Sequence, residues 1–295
     1  MNIYLYPKSK TAQAMCLMLL SMASFALMNI IIRSIAGDMH STQMVFIRNL
    51  ISLFLMLGLS LVTQRRLPQL QTNRWSGHFY RAFAGLIAMQ MWFHSVTIMP
   101  VTFATALSFT TPIFATIFAI LFLKEQAGWR RWSALFVSFF GVILIVNPDM
   151  SNVNLNVAFV LFASAAMAVA GVFVKSLSRT EEPERIVFFM SMFMTPLSLP
   201  LALLHWQSVS WHVLGLLFVI GLLSTNAQLM MARAFARADM VTLLPLDFTR
   251  LIFTSIFAYL VFGETLDGQA WAGAAIIVAA SVYIAHRENK NKAKI

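Results

Sequence analysis

The sequence predicts an all-α integral membrane protein of ten transmembrane helices, arranged as two inverted five-helix repeats. Three observations predict this fold class. Hydrophobic residues make up 59% of the 295 and charged ones only 11%, at a mean hydropathy of +0.77, whereas a soluble domain carries about 25% charged residues. Ten apolar stretches have about the 20 residues needed to cross a hydrocarbon core. Part of the first half also recurs in the second at a fixed offset of 139 residues.

The first stretch, 12–35, follows Lys8 and Lys10. It exceeds the roughly 7–15 residues of a signal-peptide core and is followed by no small-x-small cleavage site, so it is expected to be retained as a helix. The remaining spans fall at 42–63, 78–97, 100–123, 131–147, 155–175, 184–204, 211–233, 240–262 and 268–286. The longest connection, 64–77, leaves no room for a soluble domain. Lone Cys16 excludes an internal disulfide.

The net charge of +10 lies in short loops, so it encodes topology and no nucleic-acid partner is expected. Lysine and arginine accumulate in cytoplasmic loops. With the N-terminus inside, 18 of the 21 basic residues fall on the cytoplasmic side, Arg74, Arg81, Lys175, Arg185 and Arg233 among them. The outer loops hold none of them but do hold Asp38, Asp149, Glu264 and Asp267. Both termini are therefore expected in the cytoplasm. Three arginines remain inside spans: Arg33, Arg48 and Arg250. Arg33 can snorkel to the outer interface, and Arg48 lies about 9 Å below it. Arg250, about ten residues from either end of the ninth span, cannot reach water along lipid.

At the offset of 139, Phe109/Phe248, Thr110/Thr249, Ile117/Ile256, Phe118/Phe257, Ala119/Ala258, Leu121/Leu260, Glu125/Glu264 and Trp132/Trp271 coincide. Each half holds five spans, an odd number, so the halves enter the membrane from opposite sides. The expected division is a first repeat over 1–147, a periplasmic linker at 148–154, a second repeat over 155–286 and a basic tail at 287–295. Inverted repeats are a transporter architecture with the site at mid-membrane between the repeats.

The ninth span carries Asp247 and Arg250 three residues apart, just after Pro245. A charge at mid-bilayer costs roughly 2.5–3.5 kcal/mol on insertion scales and marks a protein interior or watery cavity. Residues i and i+3 share a helix face, so the two charges can offset each other. The offset sets Thr111 against Arg250 and Ser108 against Asp247, so Thr110, Thr111 and Pro112 occupy the corresponding place in the first repeat. Pro112 and Pro245 are expected to interrupt the two helices. Paired interruptions point to a transport site.

Several segments resemble the drug/metabolite transporter superfamily, EamA type. In the first half these are Met99-Pro100-Val101-Thr102 through Thr111-Pro112-Ile113-Phe114 to Lys124-Glu125, then Trp132 through Gly141. In the second they are Ser224-Thr225-Asn226-Ala227-Gln228, Ala232-Arg233-Ala234-Phe235, Gly263-Glu264-Thr265-Leu266 and Trp271-Ala272-Gly273-Ala274. The resemblance spans nearly the whole chain and implies a ten-helix secondary transporter of the bacterial inner membrane with a central cavity and no cofactor. Phe46-Ile47-Arg48 resembles the arginine-bearing second helix of that superfamily. Pro245 through Arg250 is similar to the branch holding S-adenosylmethionine and riboflavin carriers, while other members export amino acids.

The expected function is alternating-access transport of a small polar metabolite, with Arg250 anchoring an anionic or electron-rich group. Asp247 either neutralises Arg250 or binds a proton when burial raises its pKa, which makes protons a candidate coupling ion. Arg48, Thr110, Thr111, Asn226, Gln228 and Trp92 complete the candidate site. Each has a structural alternative: small polar residues also join transmembrane helices, and tryptophan also belongs to interfacial belts. The alternatives are an integral-membrane enzyme or a non-transport membrane protein with a structural or receptor role, which leaves the inverted repeat unexplained. The chain has no His-Glu-x-x-His motif and no Gly-x-x-x-x-Gly-Lys loop, and its six histidines are scattered near helix ends.

Overall fold

In the computed structural model, the described residues are 10–64, 71–98, 108, 110–124, 128–146, 155–263 and scattered positions in 268–279. They are helices and connections, with no strand among them. The helices are α1 (Lys10–Ser34), α2 (Ser41–Gln64), α3 (Trp75–Ile98), α4 (Thr111–Leu123), α5 (Trp129–Val146), α6 (Leu155–Leu177), α7 (Pro183–Leu203) and α8 (Trp211–Arg237). They are followed by the single turn α9 (Met240–Leu243), a 3₁₀ segment (Leu244–Phe248) and α10 (Thr249–Phe262). Five of these helices, α1, α2, α6, α7 and α8, contain described stretches long and apolar enough to cross a membrane. Most of the fourth span before Thr110, the linker at 148–154 and nearly all of the tenth span lie outside the described residues.

Each helix forms where an apolar run is long enough to satisfy its own backbone hydrogen bonds in a solvent that offers none. The expected ninth span, 240–262, is not one continuous helix. Pro245 has no N–H to give, and the chain tightens into the 3₁₀ segment before α10 resumes. Pro112 lies in the first turn of α4, where a missing N–H costs no helical bond. The Thr110 carbonyl there accepts from the N–H groups of Ile113 and Phe114. Two left-handed residues close helices: Lys124 (φ +57°) after α4 and Gly263 (φ +67°) after α10.

The principal packing pairs are α1 with α8, α3 with α6, α2 with α7, α2 with α8, α3 with α7, α1 with α10 and α4 with α6. Between α2 and α8 the approach is close. A Cβ added at Gly221 would stand 2.5 Å from Ile51 Cγ2, and the Thr225 hydroxyl donates to Ser52 Oγ at 2.8 Å. Ser21 of α1 donates to the Ala227 carbonyl of α8 at 2.8 Å.

The two ends of the bundle differ in chemistry. At one end Thr72 donates to Glu181 Oε1 at 2.5 Å and Arg185 donates to Oε2 at 2.8 Å. Arg74 there donates to the Ser176 carbonyl at 2.9 Å, Lys175 to the carbonyls of Phe235 and Ala238, and Arg233 pairs with Glu184. At the other end Gln43 and Gln207 exchange hydrogen bonds at 2.9 and 3.1 Å, and the rings of His40 and His205 stack at 4.0 Å.

One charge assignment is corrected. Arg81, counted above with the cytoplasmic loop charges, is buried in α3 with 4% exposure. It stands six residues beyond Trp75, about 9 Å along the helix, and its guanidinium turns into the bundle.

Candidate functional site

A cavity opens between α1, α2, α3, α6, α8 and the 3₁₀–α10 junction, with Ser108 and Thr111 at the start of α4 on its wall. It holds about 930 Å³ of empty space, including the part open to solvent.

The break at Pro245 shapes one wall. It ends the helical repeat so that Asp247, in the 3₁₀ segment, and Arg250, in the first turn of α10, both line the cavity. Their Oδ2 and Nη2 atoms stand 4.0 Å apart. The two groups are close enough to offset each other's charge.

Arg48 enters from α2. It is 3% exposed, and its Nη1 contacts the Met89 thioether at 2.7 Å. Sulfur is a weak acceptor, Nε has no partner, and no carboxylate pairs with Arg48 among the described residues. A buried charge without a counter-ion is costly.

Six candidates named from the sequence share this cavity: Arg48, Trp92, Thr111, Gln228, Asp247 and Arg250. Two others do not line it. Thr110 holds the N-cap position of α4, and Asn226 lies on the exposed side of α8. Being two residues apart on α8, Asn226 and Gln228 face about 200° apart.

The cavity also contains residues that sequence reasoning missed. Asn29 of α1 and Ser164 of α6 line it, and the Ser164 hydroxyl is buried without a partner. A polar residue inside an apolar run was the available signal for both. Phe25 and Phe93 join Trp92 as ring surfaces, and Met22, Met28, Met89, Met167 and Met231 supply thioethers. Those methionines were indistinguishable from packing residues in a chain with 19 of them. Methionine is flexible and polarisable and lets a wall adapt to its ligand.

The cavity wall is mostly apolar, with a few charged and polar groups converging on it. The chain matches the EamA-like transporter family twice, over residues 12–147 and 154–285. It is 28% identical over 276 residues to the "S-adenosylmethionine uptake transporter" of Rickettsia prowazekii, covering 94% of this chain and 93% of that one. It is 31% identical over 277 residues to the "Riboflavin transporter" of Vibrio cholerae, covering 92% and 93%. A "Pseudopaline exporter CntI" of Pseudomonas aeruginosa is 24% identical over 277 residues, covering 90% of this chain and 93% of its own. A solved crystal structure superposes with a TM-score of 0.79 over 93% of this chain and 96% of its own, at 12% identity, a likeness of fold alone. On both halves of its length, this chain belongs to the EamA-like transporter family.

Proposed function

We propose that this transporter takes up a zwitterionic metabolite carrying a planar ring, of the S-adenosylmethionine type, by alternating access through the cavity. The observation that carries the reading is the buried Arg48 guanidinium with no carboxylate beside it among the described residues, in the same cavity as Asp247 and Arg250. A ligand carboxylate satisfies Arg48 with charge-assisted hydrogen bonds. Asp247 then takes the ligand's ammonium and leaves Arg250 to share the carboxylate. Trp92, Phe25 and Phe93 offer faces for a heteroaromatic ring and, by cation–π attraction, for a sulfonium. The curated relatives named for S-adenosylmethionine support the class and the direction.

Riboflavin is the second reading, favoured by the three aromatic walls and by the 31% identical relative. It brings no charge to meet Arg48, so it ranks below.

The transport cycle rests on two inverted five-helix repeats in a ten-helix bundle of the inner membrane, both termini cytoplasmic. Two observations support the repeat. The packing pairs exchange when the halves are swapped: α1–α8 with α3–α6, α2–α8 with α3–α7, and α1–α10 with α4–α6. The left-handed caps Lys124 and Gly263 also lie at the 139-residue offset. Orientation rests on the basic loops. Rocking of the halves would break the polar contacts at one end of the bundle while those at the other hold.

Reconstitution into proteoliposomes tests the reading. Saturable uptake of labelled S-adenosylmethionine, competed by S-adenosylhomocysteine more strongly than by riboflavin, is expected. Uptake of riboflavin without S-adenosylmethionine uptake would overturn it in favour of the second reading. Runs with and without a pH gradient report on proton coupling.

A further inference from the structure

Arg81 does not line the cavity, yet it reaches a residue that does. From α3 its Nη2 donates to Gln228 Oε1 at 2.9 Å and contacts Met190 Sδ of α7 at 3.1 Å. Its Nε is buried without a partner, and among the described residues no carboxylate pairs with it. The guanidinium is held in a narrow slot. A Cβ added at Gly85, one turn further along α3, would stand 2.5 Å from Arg81 Nη1 and 2.8 Å from Met194 Cε.

An arginine has donors only, whereas a glutamine carboxamide has an oxygen that accepts and an NH2 that donates. Arg81 therefore settles which end of the Gln228 carboxamide faces which way: the oxygen is bound to the bundle interior and the NH2 is left for the cavity. Gln228 lines the cavity beside Met231 on α8, and no protein acceptor takes its NH2 among the described residues. Without Arg81 the amide could turn over and present its oxygen to the ligand instead. A buried cation is an expensive way to hold one amide, which argues for a use in recognition.

We infer that Arg81 is a positioning residue that fixes Gln228 as a hydrogen-bond donor to the substrate, so that this wall selects a ligand acceptor such as a carboxylate, a carbonyl or a ring nitrogen. The inference rests on the reading of the cavity as the substrate site. With Arg48 and Gln228 both donating, two walls of the cavity look for acceptors, and Asp247 is the group that looks for a donor.

The test is a set of uptake curves in proteoliposomes, normalised to inserted protein, with whichever of S-adenosylmethionine and riboflavin the wild-type protein transports. Gln228→Glu keeps a partner for Arg81 but loses the donor. It is expected to raise KM about tenfold or more with Vmax changed much less. Arg81→Met is expected to raise KM comparably, and adding it to Gln228→Leu to raise KM no further, because Arg81 acts through Gln228. Gly85→Ala, which crowds Arg81 without touching the cavity, gives the same KM effect if Arg81→Met fails to fold. The inference is overturned if Gln228→Glu transports at the wild-type KM, or if the Arg81 and Gln228 effects multiply independently. Arg48→Ala separates the two levels. If it abolishes uptake while the Gln228 and Arg81 variants keep the wild-type KM, the cavity reading stands and only this inference falls.

Discussion

Asp247 and Arg250 stand 4.0 Å apart on one wall of the cavity, at the point where the chain passes from a 3₁₀ segment into α10. That separation exceeds a direct hydrogen bond, so the two groups meet as charges and not through a shared hydrogen bond. Arg250→Lys preserves the charge and gives up the planar fork. It is expected to raise the uptake KM about tenfold, in line with the loss of one charged hydrogen bond. Arg250→Ala is expected to abolish uptake while membrane abundance, read by quantitative immunoblot, stays within about twofold. An equal loss of abundance and uptake would make the pair structural.

Arg48 gives an opposite prediction for stability and function. Its guanidinium is buried against a thioether with no counter-ion among the described residues. Replacing a poorly compensated buried charge with an apolar group of similar volume stabilises by about 1–4 kcal/mol. Arg48→Met is therefore expected to raise the melting temperature of the detergent-solubilised protein by several degrees while eliminating ligand-induced stabilisation by S-adenosylmethionine. A fall in melting temperature would show that Arg48 holds helices together instead of waiting for an anion.

The helical character, the existence of the charged wall and the break at Pro245 were legible in the sequence because each follows from a strong local signal. Long apolar runs, charges within them and a proline inside a span carry their meaning without tertiary context. Arg81 was misread because its place near a helix end resembles that of a loop charge. Only the packing of α3 against α6 and α7 turns it inward to Gln228. Asn226 and Gln228, two residues apart, looked equivalent in sequence. The helix sets them about 200° apart, and the rotation of α8 against its neighbours chose Gln228. The methionine lining was invisible for a different reason: a thioether facing a cavity and one facing another helix have the same sequence signature.

The left-handed caps yield a stability prediction independent of transport. A non-glycine residue pays roughly 1–2 kcal/mol for the left-handed conformation, and Lys124 adopts it at φ +57°. Lys124→Gly is expected to raise the melting temperature by a few degrees, and Gly263→Val, at φ +67°, to lower it by a similar amount. Differential scanning fluorimetry on purified protein reads both. Identical melting curves for the two variants would separate cap conformation from stability in this fold.

Glu181, in the connection between α6 and α7, sets an acid limit on stability. Burial pushes its carboxyl up, but the hydrogen bonds from Thr72 and Arg185 and the charge of Arg185 outweigh that push and hold it below its ordinary value of 4.5. A carboxylate whose pKa is depressed on folding contributes stability above its unfolded value and loses it as the pH falls through the folded one. The melting temperature is therefore expected to be insensitive to this group at neutral pH and to decline below about pH 4.5 as Glu181 protonates. Glu181→Gln should lower the melting temperature at pH 7 and flatten the acid limb, because the variant has no proton to take up there. Thr72→Val removes one of the hydrogen bonds that depress the pKa, so it should lower the melting temperature at pH 7 and leave a smaller acid decline than in the wild type. Acid limbs that superimpose for wild type and Glu181→Gln would place the titrating group elsewhere.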